Sequence, residues 1–325
     1  MTAYIIRRLL QALLVMAVMS GLVFVGLYVV GDPVSMMASP EATELERDAI
    51  RANFGLDKPL LQQYGIFMSH ALQLDFGKSF LTGQSAMGLI LERMPATLEL
   101  AVVSMLLSIL IGVPLGIWAG LKPHAISTRG IMTGSVLGFS LPNFWVGLML
   151  IMVFAVYLGW VPASGRGATV MVGSIDLSVL TLDGWSRLLL PAATIAMAKT
   201  ALIIRVTRAA TREALPMDYI KFARAKGLVW SRILRVHLLK NIMIPVVTVL
   251  GLEFGNLIAF SVVTETIFAW PGMGKLLIGA IQTLDRPVIV AHLIIIVLLF
   301  VVINLVVDVL YTVLDPRVRV GRQTA

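Results

Sequence analysis

Three groups of residues in this chain have types and spacings that could do chemistry: a Gly-Lys-Ser triplet, four histidines, and two charges set inside apolar runs. Gly77-Lys78-Ser79 ends like a phosphate loop, in which backbone N–H groups cradle phosphates and the lysine reaches them. That loop needs a glycine five residues before Gly77, and Leu72 stands there. Gly274-Lys275 lacks both the hydroxyl residue and the upstream glycine. The histidines, at 70, 124, 237 and 292, have neither ligand spacing nor a carboxylate partner close in sequence, so no metal site is predicted. There is no cysteine, which rules out disulfides, zinc–thiolate sites and thiol catalysis. The 17 methionines are read as fillers of irregular gaps between helices. No nucleophile stands near a base, which argues against an intramembrane enzyme.

Lys199 and Glu253 are the charges that remain. Each falls near the middle of an apolar stretch, where a charge costs about 2.5–3.5 kcal/mol on insertion scales and must face protein, water or a partner. One reading has one or both line a solute path. The other makes them an ion pair that fixes helix register, returning about what its burial costs. Asn304 and Asp308 lie one helical turn apart in a later apolar stretch and share a face, which predicts interhelical contacts there.

Composition sets the environment. Apolar residues make up 58% of the 325 and charged residues 14%, and mean hydropathy is +0.91; soluble domains run at about 45–50% and about 25%. The chain is therefore predicted to be an integral membrane protein. Its apolar runs are continuous rather than alternating, which excludes a transmembrane barrel. A net charge of +8 then points to basic cytoplasmic loops rather than to nucleic acid.

The runs predict six transmembrane helices. Leu9 to Val30 is 22 residues without a charge, longer than the about 7–15 of a signal peptide core, and is read as an uncleaved first span. Residues 31–95 form an extracytoplasmic segment with two or three short helices, one starting at Asp57-Lys58-Pro59 and carrying Leu60, Tyr64, Phe67, Met68 and Ala71 at helical spacing. A five-span core over 96–314 follows, with spans at 96–121, 130–160, 188–207, 242–263 and 288–314, and 315–325 is a tail. The third span is interrupted by Gly138, Pro142 and Gly147. Six spans put both termini on one side. The segments on that side carry 16 Lys/Arg, against 9 spread over the longer loops of the other, so both ends are predicted to be cytoplasmic.

One cytoplasmic stretch stands out within 208–241. Asp218 to Asn241 holds six Lys/Arg, with Arg212 just upstream. Asp218 is a candidate N-cap, Tyr219 to Lys226 would make about two turns of helix, and Gly227 is a natural C′ stop; Ser231 can cap the next helix. Such a short helix between two spans could be a peg that another protein grips, or a basic amphipathic helix lying on anionic lipid.

The motifs along the chain resemble those of the permeases of ABC importers, in particular the first permease subunit of the dipeptide/oligopeptide/nickel transport subgroup. The resemblance runs from Gly31-Asp32-Pro33 through Phe54-Gly55-Leu56-Asp57-Lys58-Pro59, Asp75-Phe76-Gly77-Lys78-Ser79 and Arg93-Met94-Pro95-Ala96-Thr97-Leu98-Glu99. It continues through Pro162-Ala163-Ser164-Gly165-Arg166 and the segment Thr264 to Gly274, and ends at Asp315-Pro316-Arg317. Ala223 to Leu228, ARAKGL, with His237-x-Leu239-Lys240-Asn241 and Ile244-Pro245-Val246-Val247-Thr248, is similar to the family's cytoplasmic coupling loop. The general motif, Glu-Ala-Ala, three residues, Gly, nine residues, Ile-x-Leu-Pro, is met in part. Lys221-Phe222-Ala223 replaces Glu-Ala-Ala, Gly227 matches, and His237-Leu238-Leu239-Lys240 replaces the end, as in the peptide subgroup.

The resemblance implies an all-α fold of the type I ABC importer permease kind, in a bacterial or archaeal cytoplasmic membrane. It also implies partners: a second, homologous permease subunit, two cytoplasmic ATPase subunits that hold the ATP and Mg, and an extracytoplasmic solute-binding protein. Asp218, Tyr219, Lys221, Phe222, Ala223, Arg224, Ala225, Lys226, Gly227 and Leu228 are then the coupling residues, and Lys199 and Glu253 candidates for the path. No cofactor belongs to this chain itself. Peptides are the subgroup's commonest cargo, with nickel chelates, glutathione and opines also carried. The rival from another class is an ion-driven secondary transporter, which predicts inverted repeats and intramembrane ion ligands; Lys199, Glu253 and Asp308 could serve it, but no repeat of one half in the other is visible.

Overall fold

The computed structural model describes residues 2–29, 34, 41, 43–53 and 57–314. Gly31-Asp32-Pro33, Phe54-Gly55-Leu56, Asp315-Pro316-Arg317 and the side chain of Asp308 lie outside the described residues. Long apolar runs make long helices: α1 (Thr2–Val29), α2 (Glu44–Asn53), α3 (Leu60–Leu72), α4 (Ala86–Leu121), α5 (Ile126–Ser140) and α6 (Asn143–Leu150, continued by a π-helical turn at Ile151–Tyr157). A small hairpin follows, β1 (Val170–Val172) and β2 (Ile175–Leu177), antiparallel with Val172 opposite Ile175. Then come α7 (Leu182–Ala214), α8 (Asp218–Ala225), α9 (Trp230–Phe260), α10 (Val262–Ile267), α11 (Met273–Gln282) and α12 (Arg286–Leu314).

Four helices among the described residues are long and apolar enough to cross a membrane: α4, α7, α9 and Arg286–Val307 of α12. The α5–α6 pair makes a fifth if counted as one broken span, bent by 104°. The bend falls at Leu141-Pro142, as the proline predicts. The apolar part of α1, Leu13–Gly26, is shorter. Proline does less damage elsewhere: Pro95 and Pro114 lie inside α4, Pro191 inside α7 and Pro245 inside α9. Hence α4 begins at Ala86, well ahead of the expected start at 96, with Ala86, Leu89 and Ile90 already buried at helical spacing.

The chain divides into two compact units. The first comprises Met1–Glu92 and Leu277–Leu299. In it α3 packs on α1, with Phe24 between Tyr64 and Phe67 at ring distances of 5.3 and 5.7 Å. The Tyr64 hydroxyl bonds Ser20 at 2.8 Å. A capping box opens α2, the Thr43 N–H donating to Glu46 Oε2 at 2.8 Å. The Ser79 hydroxyl, which a phosphate loop would aim at a metal, donates to the buried carboxylate of Asp285. His70 Nδ1 lies 3.5 Å from Asp75. This corrects the expectation that no carboxylate neighbours a histidine: the chain turns back on itself there, with Asp75 N–H donating to His70 C=O at 3.0 Å.

The second unit comprises Arg93–Leu276 and Phe300–Ala325. Its spine is the contact of α4 with α7. Gly112, Gly116 and Gly120 on α4 meet Ile203, Thr207 and Thr211 on α7; a Cβ at Gly116 would stand 2.6 Å from Thr207 Cβ and 2.9 Å from Ile204 O. Close backbone approach of this kind is how helices associate where lipid removes the hydrophobic drive. Ser108 adds a hydrogen bond across the seam, to Ala196 O at 3.2 Å. Asn304 spends its amide on Phe300 O of its own helix, at 2.8 Å, rather than on another helix as expected.

Candidate functional site

The expected coupling loop begins where α7 ends. α8 is two turns long and has one wet face and one dry face. Ile220 and Ala223, three apart and therefore neighbours on the cylinder, are buried in a cluster with Ala214, Ile233, Leu238 and Ile242. Tyr219 and Leu228 pack against its edge. The π-helical turn of α9 at Ile233–Leu238 matters here, because its wider pitch turns both Ile233 and Leu238, five residues apart, towards α8. Gly227 closes the helix at φ +70°, a conformation that costs a residue with a Cβ about 1–2 kcal/mol. The caps differ from expectation. Met217 occupies the N-cap position and Asp218 is the first helical residue, its carboxylate 3.0 Å from Lys221 Nζ. Val229, not Ser231, precedes the next helix.

Asp218, Lys221, Phe222, Arg224, Ala225 and Lys226 form the wet face. Phe222 is 63% exposed, with Lys226 Nζ 4.6 Å from its ring centroid. Arg224 lies over exposed Trp230 at 4.8 Å. Aromatic rings bracketed by cations give this face both apolar area and positive charge. Of the ten residues expected to couple, then, Ala223 serves as an anchor and Tyr219 and Leu228 as its edge, while the other polar and aromatic positions are presented outward.

The two lone charges meet. Lys199 Nζ donates to Glu253 Oε2 between α7 and α9. The pair is not sealed: the side chains are 23% and 22% exposed.

Sequence reasoning missed a second set of carboxylates. Glu265, on α10, is fully buried, and among the described residues no cation pairs with it. Its Oε1 accepts from Thr97 at 2.7 Å and Ser261 at 2.8 Å, and its Oε2 from the Lys275 backbone N–H at 3.0 Å, at the start of α11. Thr97 in turn accepts from Met273 N–H at 2.8 Å, and Trp270 Nε1 donates to Ala96 O at 2.9 Å. Glu99 takes Arg166 at 2.6 Å and the backbone N–H groups of Ser178 and Val179 at 2.6 and 3.2 Å. Gly165 N–H donates to Phe268 O at 2.9 Å. Three segments singled out by resemblance, 93–99, 162–166 and 264–274, are thus tied into one polar knot. That each carries polar residues beside a span was the only sequence signal for it.

Residues 112–320 match the family described as "Binding-protein-dependent transport system inner membrane component", and residues 1–101 match its N-terminal family. The glutathione transport system permease protein GsiC of Escherichia coli K12 is 38% identical over 320 residues, covering 98% of this chain and 99% of the relative. The di/tripeptide transport system permease protein DppB of Pseudomonas aeruginosa is 41% identical over 302 residues, covering 89% and 90%. The oligopeptide transport system permease protein AppB of Bacillus subtilis is 38% identical over 320 residues, covering 98% and 99%. Among solved structures, an inward-facing MetNI methionine ABC transporter shares the fold, with a TM-score of 0.56 at 19% identity, over 70% of this chain and 97% of that one. A carrier that works without ATPase subunits is not what these matches describe. The chain belongs to the inner membrane components of binding-protein-dependent transport systems and is a permease subunit of an ATP-driven importer, not itself an enzyme.

Proposed function

We propose that this chain forms half of the translocation path of an importer for di- or oligopeptides, or for a small peptide-like solute such as glutathione, in a bacterial inner membrane. A second, homologous permease supplies the other half. The chain crosses the membrane six times with both ends in the cytoplasm, as the 16 to 9 division of Lys/Arg favours. An extracytoplasmic binding protein delivers the solute. Two ATPase subunits receive the wet face of α8 on each permease, and closure of the ATPase pair on ATP moves these pegs and turns the path outward. Lys199 and Glu253 line that path.

The observation that carries the reading is the two-faced α8. Ile220 and Ala223 bind it to its own chain, leaving Phe222 and the flanking cations uncovered. An exposed Phe of this kind, on a helix rooted in the ends of α7 and α9, is what a lever needs to be gripped.

The native chain has no cysteine, so single cysteines report cleanly. Phe222→Cys and Lys221→Cys are expected to cross-link to a co-purifying ATPase subunit, while Ile220→Cys is not. Phe222→Ala is expected to lower ATP-driven uptake at least about tenfold with the membrane level of the complex unchanged. Equal cross-linking at 220 and 222, or undiminished uptake by Phe222→Ala, would overturn the assignment.

A further inference from the structure

Among the described residues, the Lys199–Glu253 pair has hydrogen-bonding capacity left over. Lys199 Nζ has three N–H groups and donates one, to Glu253 Oε2; Glu253 Oε1 accepts nothing. Glu99 and Glu265 differ, since both oxygens of each are engaged. Nor does a third charge along the same helices balance the pair. The nearest on α7 is Arg205, six residues on and about 9 Å along the axis, and its guanidinium lies over the Phe139 ring at 4.6 Å. On α9 the nearest charges before and after Glu253 are Lys240 and, beyond the helix, Glu265. Along its own two helices the pair is therefore an isolated dipole, partly exposed, with open valence at both poles among the described residues.

A solute that approaches it meets an electrostatic constraint. An anion that bound a spare Lys199 N–H would leave two carboxylates on one ammonium in an apolar span, and a cation that bound Glu253 Oε1 would leave two cations on one carboxylate. Either outcome leaves a poorly solvated net charge. A solute with one ammonium and one carboxylate avoids the penalty: its carboxylate goes to Lys199 as its ammonium goes to Glu253, and one ion pair becomes two. Charge stays matched before, during and after the exchange. We infer that Lys199 and Glu253 are a charge-exchange point that favours zwitterionic solutes over singly charged ones. This inference rests on the path assignment proposed above and adds the solute's charge class to it.

The test uses the whole transporter, with its partner permease, ATPase subunits and binding protein, in proteoliposomes. Uptake is measured for trialanine, N-acetyl-trialanine and trialanine amide by wild type, Lys199→Met, Glu253→Gln and the double variant. The binding protein is common to all, so its own preferences divide out when variants are compared. Lys199→Met is expected to reduce uptake of the two carboxylate-bearing peptides about tenfold relative to the amide, the scale of one charged hydrogen bond. Glu253→Gln should do the same to the two peptides with a free ammonium, relative to the acetylated one. In the neutral double variant the preference for trialanine over both blocked forms should fall about tenfold, and this measurement suffices if the single variants do not assemble. A loss by one common factor for all three peptides, in whichever variants assemble, would overturn the inference while leaving the peptide reading intact. Failure of the wild type to carry any of the three would overturn both.

Discussion

Glu253 and Glu265 lie twelve residues apart, on either side of the break between α9 and α10, and the protein treats the two carboxylates in opposite ways. Glu265 is wholly buried with no cation beside it among the described residues, held by two hydroxyls and a helix N-terminal N–H. Glu253 has one cation, is partly exposed, and among the described residues leaves an oxygen free. The contrast separates two uses of a charge in an apolar protein. Several neutral donors converging on one carboxylate join the segments that own them, here 96–97, 261 and 273–275, and leave nothing for a ligand. One opposite charge neutralises without saturating, and leaves a place where partners can be exchanged. The two carboxylates differ both in number of donors and in burial, and it is the saturated, buried one that joins segments.

Truncation at the joint gives the largest expected effect. Glu265→Ala would orphan the Thr97 hydroxyl and the Lys275 N–H, leave Ser261 only its bond to Ile258 O at 3.2 Å, and open a cavity. At about 1–3 kcal/mol for each unsatisfied group, a loss of about 5 kcal/mol or more is expected, read as failure to recover the complex from solubilised membranes. Recovery at wild-type levels would show that the donors relax elsewhere, and Glu265 would no longer differ in kind from Glu253. Arg166→Met comes next. It removes the cation from Glu99 but leaves the Ser178 and Val179 N–H groups in place, so a smaller loss of about 3 kcal/mol is expected, within the range for breaking a buried pair. Lowered heat stability in detergent, with the complex still assembled, is the outcome that places Glu99 between the two extremes.

How much of this was legible follows the same division. The long apolar runs announced α4, α7, α9 and α12, and Pro142 announced the break between α5 and α6, because those signals are local. Two other elements also carry local signals: the Thr43-x-x-Glu46 capping box of α2, and the Gly173-Ser174 turn between the strands of the hairpin. The second span, expected from 96 just after Pro95, belongs to a helix that runs through that proline from Ala86. The segments of the Glu265 and Glu99 networks stand out in the sequence, but their pairings do not. Glu99 meets Arg166 across 67 residues and Glu265 meets Thr97 across 168, and nothing in a Thr or a backbone N–H says which carboxylate it will meet. Lys199 and Glu253 were visible as candidates because each is a solitary charge in an apolar run. Their pairing was one of the two readings the sequence allowed, and their unused valence became apparent only from the contacts. For α8 the sequence placed the helix and its glycine stop, but not which side it presents. Ala223 belongs to the motif and yet packs inward, since only the fold of α9 around it decides what is buried.

The smallest expected effect is the sharpest for the comparison. Replacing Lys199 and Glu253 together, by Met and Gln, removes both charges and leaves side chains of similar volume. A pair that served as a joint would be missed. A pair whose desolvation cost roughly cancels its attraction would not, and neutral replacement of such pairs is often without penalty or slightly stabilising. The double variant is therefore expected to assemble to wild-type levels and to lose heat stability by less than about 1 kcal/mol, against about 5 kcal/mol at Glu265. Measured on the same purified complex, the ratio of these two losses is the quantity of interest. If the double variant were destabilised as much as Glu265→Ala, the open valence at Glu253 would carry no functional meaning, and the pair would be a register-fixing contact like the polar knot of Glu99 and Glu265.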